Sequence, residues 1–568
     1  MKKQTQTLLS IAVLFSLLTL FGAAAFAQAE TKSAEDRLAW WREARFGLFI
    51  HWGPVSLKGT EIGWSRGGER RGTGGGKGPI PVEVYDNLYK EFNPVGFNAK
   101  EWVQIAKNAG MKYLVFTSRH HDGFSMFDSA LTDYKITNSP FKRDVVAELA
   151  QACHEAGLGL GFYYSPPDWH HPDYRTENHA RFIEYLHGQI RELCTKYGKV
   201  DILWFDGLGG TAKDWDAENL IKMIRTLQPG IIINNRAGLP EDFETPEQTI
   251  GQFQNTRPWE TCMTIGDQWA WKPNDNVKSF KDCISVLIKC AGGDGNLLFN
   301  VGPMPDGRIE DRQVARLSEM GAWLKQYGES IYGTRGGPFL PGPWGVSTCR
   351  GNSVYVHILD WDAAGPALSL PQLPAKITAA ATLAGGEAAF TQNEEAITIT
   401  VPENARQDPD TIVVLTLDTP AGAIKPVGAP SRSVLKGAKA KASNFHQNDP
   451  AYAPEKAVDD DESSRWATDG GTHQAWLEVS LEKPATVSEA VIKESCGDRV
   501  QRFVLQYQDG NEWKTFYKGT KIGEKFHAEF DPITASVFRL DIQEATEGPT
   551  LWEFQLLAPK KNKTPSKP

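Results

Sequence analysis

Cysteine is scarce and scattered in this chain: seven in 568 residues, at positions 153, 194, 262, 283, 290, 349 and 496. No two form a CxxC pair, and the density is far below that of a disulfide scaffold. They read mostly as small buried apolar residues, with room for one bridge in an oxidising compartment. Basic residues are outnumbered, 61 Lys and Arg against 70 Asp and Glu, for a formal charge of −9. Such a chain suits nucleic acid poorly. There is no HExxH metal motif, no Gly-rich dinucleotide loop after the first strand, and no Lys-Ser/Thr ending to the Gly-rich stretch 66–78. Beyond residue 27 no apolar run is long enough for a membrane span.

Hydrophobic residues make up 40% of the chain and Trp is abundant at 18, which excludes a disordered protein. Residues 1–27 have the form of a secretory signal: Lys2 and Lys3, an apolar stretch from Leu8 to Phe21, then Ala25-Phe26-Ala27 as a small-x-small cleavage site. The expected location is secreted or periplasmic.

From about 34 to 340, apolar strands alternate with helical patterns. The strands are Phe46 to Trp52, Tyr113 to Thr117, Gly159 to Ser165, Ile202 to Asp206, Ile231 to Arg236 and Asn296 to Val301. Helices are expected at Glu101 to Ala109 and Asp144 to Ala156. This alternation predicts an α/β fold, a (β/α)₈-like barrel. After 340 the pattern becomes short alternating runs, predicting a small β-sandwich over 341–420. A Pro- and Gly-rich linker at 421–433 and a second β-sandwich over 434–558 follow. The polar tail 559–568 is expected to be disordered.

Strand ends of a parallel barrel are where side chains meet a substrate. His51, Arg119-His120-His121-Asp122, Tyr163-Tyr164, Asp206 and Asn234-Asn235-Arg236 fall at five successive ends. On its own Asp206, in Trp204-Phe205-Asp206-Gly207, could simply cap the next helix. Beside aromatic and histidine neighbours it reads instead as a carboxylate presented to a sugar. Metal ligation by the histidines is disfavoured on the expectation that adjacent residues of a strand point apart. The Arg-rich loop 66–78 reads as a flexible surface loop at the mouth of the site, where it could touch the leaving group.

Five segments together resemble glycoside hydrolase family 29, the α-L-fucosidases: Phe49 to Gly53, Arg119 to Phe124, Trp204 to Gly207, Trp259 to Cys262 and Gly295 to Pro303. The resemblance implies a retaining exo-acting α-L-fucosidase working on fucosylated glycans, without a catalytic cofactor. It implies Asp206 as nucleophile. Glu244, Glu247 and Glu260 are candidates for the acid/base; the segment Asp242 to Glu247 resembles the family's acid/base loop and selects Glu247, with Glu260 as runner-up. The resemblance further assigns His51, Trp64, His120, His121, Tyr164, Trp204 and Arg236 to substrate binding. Trp269 or Trp271, with Trp271 preferred, would wall the sugar's C6 methyl. Glu61, where the family often shows Glu-Trp-Tyr, has no clear counterpart. An α-L-galactosidase with the same mechanism, a catalytically inactive glycan-binding protein and a metal-dependent barrel hydrolase are the competing readings.

Residues 434–558 are similar to a discoidin-type (coagulation-factor type C) domain, through Tyr452 to Thr468, Trp476 to Val479 and Pro549 to Phe554. That similarity implies a galactose-type sugar at the loop tips and a structural Ca²⁺ near Asp459 and Glu553. Trp466 reads as core.

Exported protein should begin at Gln28. Intact mass of the protein recovered from the periplasm or medium checks this, and a mass retaining Met1 contradicts it.

Overall fold

In the computed structural model, residues 33–73, 77–428, 433–461 and 464–559 are described. The signal segment and the tail from 560 lie outside them. Seven strands form one parallel sheet: β1 (Phe46–Ile50), β2 (Tyr113–Arg119), β3 (Gly159–Tyr164), β4 (Ile202–Phe205), β5 (Ile232–Ile233), β6 (Glu260–Thr264) and β7 (Asn296–Val301). Their order is β5-β4-β3-β2-β1-β7-β6, so β5 and β6 are the two edges. An extended segment, 242–248, joins those edges. On one side Asp242 N donates to Ile233 O and Asn235 N to Phe243 O. On the other, Glu260 N donates to Glu244 O, Cys262 N to Pro246 O and Gln248 N to Cys262 O. These pairings are parallel and close the ring, giving the (β/α)₈-like barrel.

The strands are apolar on both faces because each face has its own core. Phe49, Tyr113, Val115, Tyr163, Ile202 and Trp204 plug the interior. Leu48, Leu114, Phe162, Leu203 and Phe205, their alternate neighbours, pack outward among the helices. Helices follow the sequence signals closely. Asp144 caps a helix over Val145–Ala156 that ends at Gly157 in the left-handed region. Asn98 caps Ala99–Asn108, two residues earlier than expected.

The small β-sandwich has a five-stranded sheet, β12-β15-β10-β9-β8, and a three-stranded one, β11-β14-β13. The strands are β8 (Arg335–Gly336), β9 (Gly345–Arg350), β10 (Ser353–Ile358), β11 (Leu368–Pro371), β12 (Ile377–Thr382), β13 (Ala389–Gln392), β14 (Ala396–Thr400) and β15 (Thr411–Leu417). The expected linker 421–433 begins later than its composition suggests. Ala421 and Ile424 are buried, Ala421 N donates to Gly351 O, and Val427 pairs with Pro338 and Leu340. Pro and Gly mark the turns correctly, but the apolar residues between them pack, and the first unit extends to Gly428.

The second unit is antiparallel throughout, in the order β17-β22-β18-β21-β19-β20 with β16 on β18. Its strands are β16 (Lys439–Ala442), β17 (Trp466–Ala467), β18 (Ala475–Glu494), β19 (Val500–Asp509), β20 (Glu512–Gly519), β21 (Phe526–Ala545) and β22 (Thr550–Leu557). β18 and β21 run 20 residues each, broken by register shifts that bend the sheet over its own core. Trp466 is fully buried there. All seven cysteines are free, six of them buried, so no bridge forms. Among the described residues no helix is long and apolar enough to cross a membrane.

Asp294, just before β7, is a buried junction. It accepts from Arg45 at 2.7 Å, from Arg42 at 3.3 Å, from Arg335 and from Gly336 N at 3.0 Å, tying the first helix, the barrel and the sandwich sheet together. Arg45 is as deeply buried as Asp294. Asp294→Ala strands that guanidinium and should cost about 3–5 kcal/mol. Urea unfolding followed by tryptophan fluorescence reads the loss; an unchanged midpoint would show the junction to be dispensable.

Candidate active site

Asp206 directly follows β4. Gly207 must come next, because a Cβ there would lie 2.2 Å from the carbonyl oxygen of Arg236. The close approach has a cause: Asn234 exchanges two hydrogen bonds with Phe205, its side-chain amide standing in for backbone and drawing the two strand ends together. Asp206 thus faces Arg236 across the barrel mouth. Arg236 Nη1 donates to Asp206 Oδ1 at 3.1 Å, and Tyr163 OH donates to Oδ2 at 2.9 Å. His121 Nε2 lies 3.4 Å from Oδ2. Burial alone would raise this carboxyl, but the hydrogen bond and charge of His121, then the charge of Arg236, hold it well below the usual carboxylate range.

The same Arg236 Nη1 donates to Glu247 Oε2 at 2.8 Å. The two carboxylate oxygens are therefore no further apart than both bonds laid end to end, about 6 Å. Arg236 is fixed from behind: Nε donates to Thr245 Oγ1 and Nη2 to Thr245 O, both at 2.8 Å, and the guanidinium lies over Trp204. Glu247 is the exposed member of the pair, 43% against 14% for Asp206. It stands on the segment that closes the barrel.

A cavity of about 400 Å³ opens over this pair. His51, Trp64, His120, His121, Trp204 and Arg236 all line it, as do Asp206 and Glu247. His51 Nδ1 donates to Asn300 Oδ1 at 2.6 Å, since the Asn300 amide nitrogen is already committed to Trp269 O. That fixes the tautomer and leaves Nε2 as an acceptor for a hydroxyl. Burial pushes His51 down to about 3 and lowers His120 as well, so both stay neutral.

Three expected residues lie elsewhere. Tyr164 points outward to the helix layer, where its OH donates to Gln189 and its ring lies under Arg119. Its neighbour Tyr163 lines the cavity. Trp271 is turned away, its indole N–H donating to Glu310; Trp269 is the tryptophan in the wall. Glu260 is fully buried inside the barrel, accepting from Trp41, Tyr113 and Trp204. Burial pushes it up to about 7. It does not reach the cavity; it orients Trp204, which does. The runner-up acid is therefore not brought to the site.

Glu61 is explained. Its carboxylate accepts from the backbone N–H of Ile62, Trp269 and Ala270, clipping the Trp269 loop to the Trp64 loop. The histidine pair departs from the expected geometry. His120 and His121 follow β2 in a turn, not on the strand, and their rings lie 4.2 Å apart. The two rings therefore do not diverge as adjacent residues of a strand would. Among the described residues, three ligand atoms within 4.8 Å of one another occur at Glu489, His527 and Glu529, which belong to the second unit and do not line this cavity. Phe49 and Cys262 also line the cavity and were missed; as apolar strand residues they carried no signal beyond inward-facing parity.

A paired carboxylate across a barrel mouth, with neutral histidines and an aromatic wall, defines a glycoside hydrolase. The sequence profile of the α-L-fucosidase family matches residues 22–329, and that of the F5/8 type C domain matches 439–554. Plasma alpha-L-fucosidase of Rattus norvegicus is 30% identical over 372 residues, 58% of this chain and 78% of the relative. Among solved structures, alpha-L-fucosidase isoenzyme 1 from Paenibacillus thiaminolyticus superposes with a TM-score of 0.62 at 37% identity, covering 68% of this chain and all of that one. A Bacteroides thetaiotaomicron GH29 α-L-fucosidase, solved as a trapped covalent intermediate, gives 0.61 at 26% identity over 69% and 98%. The chain belongs to the α-L-fucosidase family, glycoside hydrolase family 29, and carries a C-terminal discoidin-type domain.

The two tyrosines give a direct test of this pocket. Tyr163→Phe removes a hydrogen bond to an ionised carboxylate and should lower kcat/KM about 10- to 100-fold. Tyr164→Phe should change kcat/KM less than about threefold while costing about 1 kcal/mol of stability. Steady-state kinetics on an aryl fucoside separates them, and the reverse order would contradict the lining described.

Proposed function

We propose that this enzyme removes terminal α-L-fucose from glycans with retention of configuration, Asp206 acting as nucleophile and Glu247 as acid/base. The observation that carries this is the single Arg236 nitrogen shared by both carboxylates. It keeps the nearest oxygens of the two within about 6 Å of each other. Retaining glycosidases need roughly 5–5.5 Å and inverting ones roughly 6.5–9.5 Å. In the first step an Asp206 oxygen bonds to C1 as the glycosidic C–O bond breaks, and Glu247 gives its proton to the departing oxygen. In the second, Glu247 takes a proton from water, the water oxygen bonds to C1, and Asp206 leaves. Arg236, His121 and Tyr163 favour the ionised Asp206 that must attack.

Fucose is the sugar the wall favours. Phe49 packs against Trp204 and Trp269, with Tyr163 beside them, and none of these ring faces offers a hydroxyl partner. A C6 methyl fits such a wall; the C6 hydroxyl of an α-L-galactoside would lose water without replacement. The inactive glycan-binding alternative is disfavoured by the intact carboxylate pair.

In the C-terminal unit a Ca²⁺ would find an oxygen-only donor set. On β22, Glu553 Oε1 accepts from Asp461 N while Oε2 is buried without a partner, and Asp459 Oδ1, in the facing acidic turn, accepts from the same Asp461 N. A shallow depression formed by His446, Tyr452, Arg465, Arg499 and Glu547 suits a galactose-type sugar. Export to the periplasm or medium follows from the N-terminal signal.

Asp206→Ala should lose several orders of magnitude in kcat. Glu247→Ala should be slowed most on substrates with poor leaving groups. Azide should partly rescue it and yield the α-configured fucosyl azide. Glu260→Gln should show no azide rescue. NMR of the azide product and the first hydrolysis product decides; an inverted first product, or rescue confined to Glu260→Gln, would overturn the assignment.

A further inference from the structure

The Arg-rich loop after β1 has no part in the chemistry above, and its three arginines differ sharply. Arg66 is buried and neutralised: Nε and Nη2 meet the two oxygens of Asp86 at 2.6 and 2.7 Å. Arg71 is spent on the carbonyls of His171, Pro172 and Tyr174, which pins the loop over the segment following β3. Arg70 is less fully committed. Its guanidinium stands 5.2 Å from the Trp64 ring and 5.6 Å from the Trp169 ring and donates to the Trp64 carbonyl. Its Nε is buried without a partner, and among the described residues no carboxylate pairs with it.

Trp64 lines the cavity and packs edge-on to His121, the histidine beside Asp206. The unpaired cation thus stands one aromatic ring outside the pocket. A guanidinium held between two indoles has lost part of its water and keeps planar donors free, the arrangement that takes up a carboxylate or sulfate. The local charge is notable in an acidic chain: 66–77 carries Arg66, Arg70, Arg71 and Lys77 against Glu69 alone. In the function proposed above, the fucosyl ring fills the pocket between Asp206 and the apolar wall. A group that reaches Arg70 therefore belongs to the rest of the glycan.

We propose that Arg70 forms an anion-accepting subsite for the leaving part of the substrate, selecting fucosides whose aglycone bears a carboxylate or a sulfate-type group. This rests on the fucosidase reading. Three aryl α-L-fucosides of matched size test it, with 3-carboxyphenyl, 3-sulfophenyl and neutral 3-carbamoylphenyl aglycones. Each kcat/KM is measured at low salt and at high salt. The wild type should favour an anionic aglycone over the neutral one about three- to tenfold at low salt, and less at high salt. The ratio should fall to about one in Arg70→Gln and be partly kept in Arg70→Lys. Which anionic arm is preferred identifies carboxylate or sulfate chemistry. A wild-type ratio near one at low salt overturns the proposal. So does an Arg70→Gln variant that slows all three substrates equally, since Arg70 would then only stiffen Trp64. Failure of the wild type to cleave even the neutral fucoside would instead sink the underlying fucosidase reading.

Discussion

One nitrogen atom, Nη1 of Arg236, lies between Asp206 and Glu247 and makes the site workable. Two carboxylates with oxygens within about 6 Å of each other repel, and burial penalises the charge of Asp206. A fixed cation between them lets the deeper one stay ionised. The cation can do this because it is immobile: Thr245 holds it through side chain and backbone, and Trp204 supports its face. The same residue's carbonyl abuts Gly207, so the turn that presents Asp206 and the arginine that charges it are fitted to each other. Behind Trp204, Glu260 fixes the indole through its N–H. The site is thus layered, with a buried carboxylate orienting an aromatic, the aromatic supporting a cation, and the cation bonded to the two carboxylates of the cavity.

The barrel was legible because parallel strands buried on both faces write themselves as unbroken apolar runs, each ending in a polar residue. Asp206, His51 and Arg236 could be read from those ends. What the runs conceal is parity. Tyr163 and Tyr164 are chemically alike and adjacent, and only the register with β4, which pairs Tyr163 with Trp204 and Tyr164 with Phe205, says which faces inward. Trp269 and Trp271 pose the same ambiguity in a loop, where no period applies. Their distinction rests on Glu61 and Asn300, which grip the backbone of Trp269 from 208 and 31 residues away. A sequence does not display contacts of that kind. Glu260, the runner-up acid, poses a related problem: nothing in the sequence around it shows that its partners are two indoles and a phenol inside the barrel.

The histidines carry a similar lesson about local backbone. On a regular strand His120 and His121 would point to opposite faces. The chain leaves the strand at Arg119, so both rings enter one cavity with different tasks. His121 attends to the carboxylate, while His120 stacks on Tyr163 with its plane only 7° from parallel. Gly63 makes room for this, its backbone in the left-handed region and its missing Cβ 2.7 Å from the His120 ring.

The strand that completes the barrel is held by backbone hydrogen bonds to neighbours on both sides, and it carries both Thr245 and Glu247. Phe243 joins the barrel interior, while Thr245 and Glu247 both meet Arg236, so its register is fixed by what these side chains reach. Sliding it by one residue would turn Glu247 away and withdraw Thr245 from Arg236 in the same motion. The carboxylate proposed as nucleophile thereby sits at the end of a buried strand, and its proposed partner on the segment that completes the ring by backbone pairing.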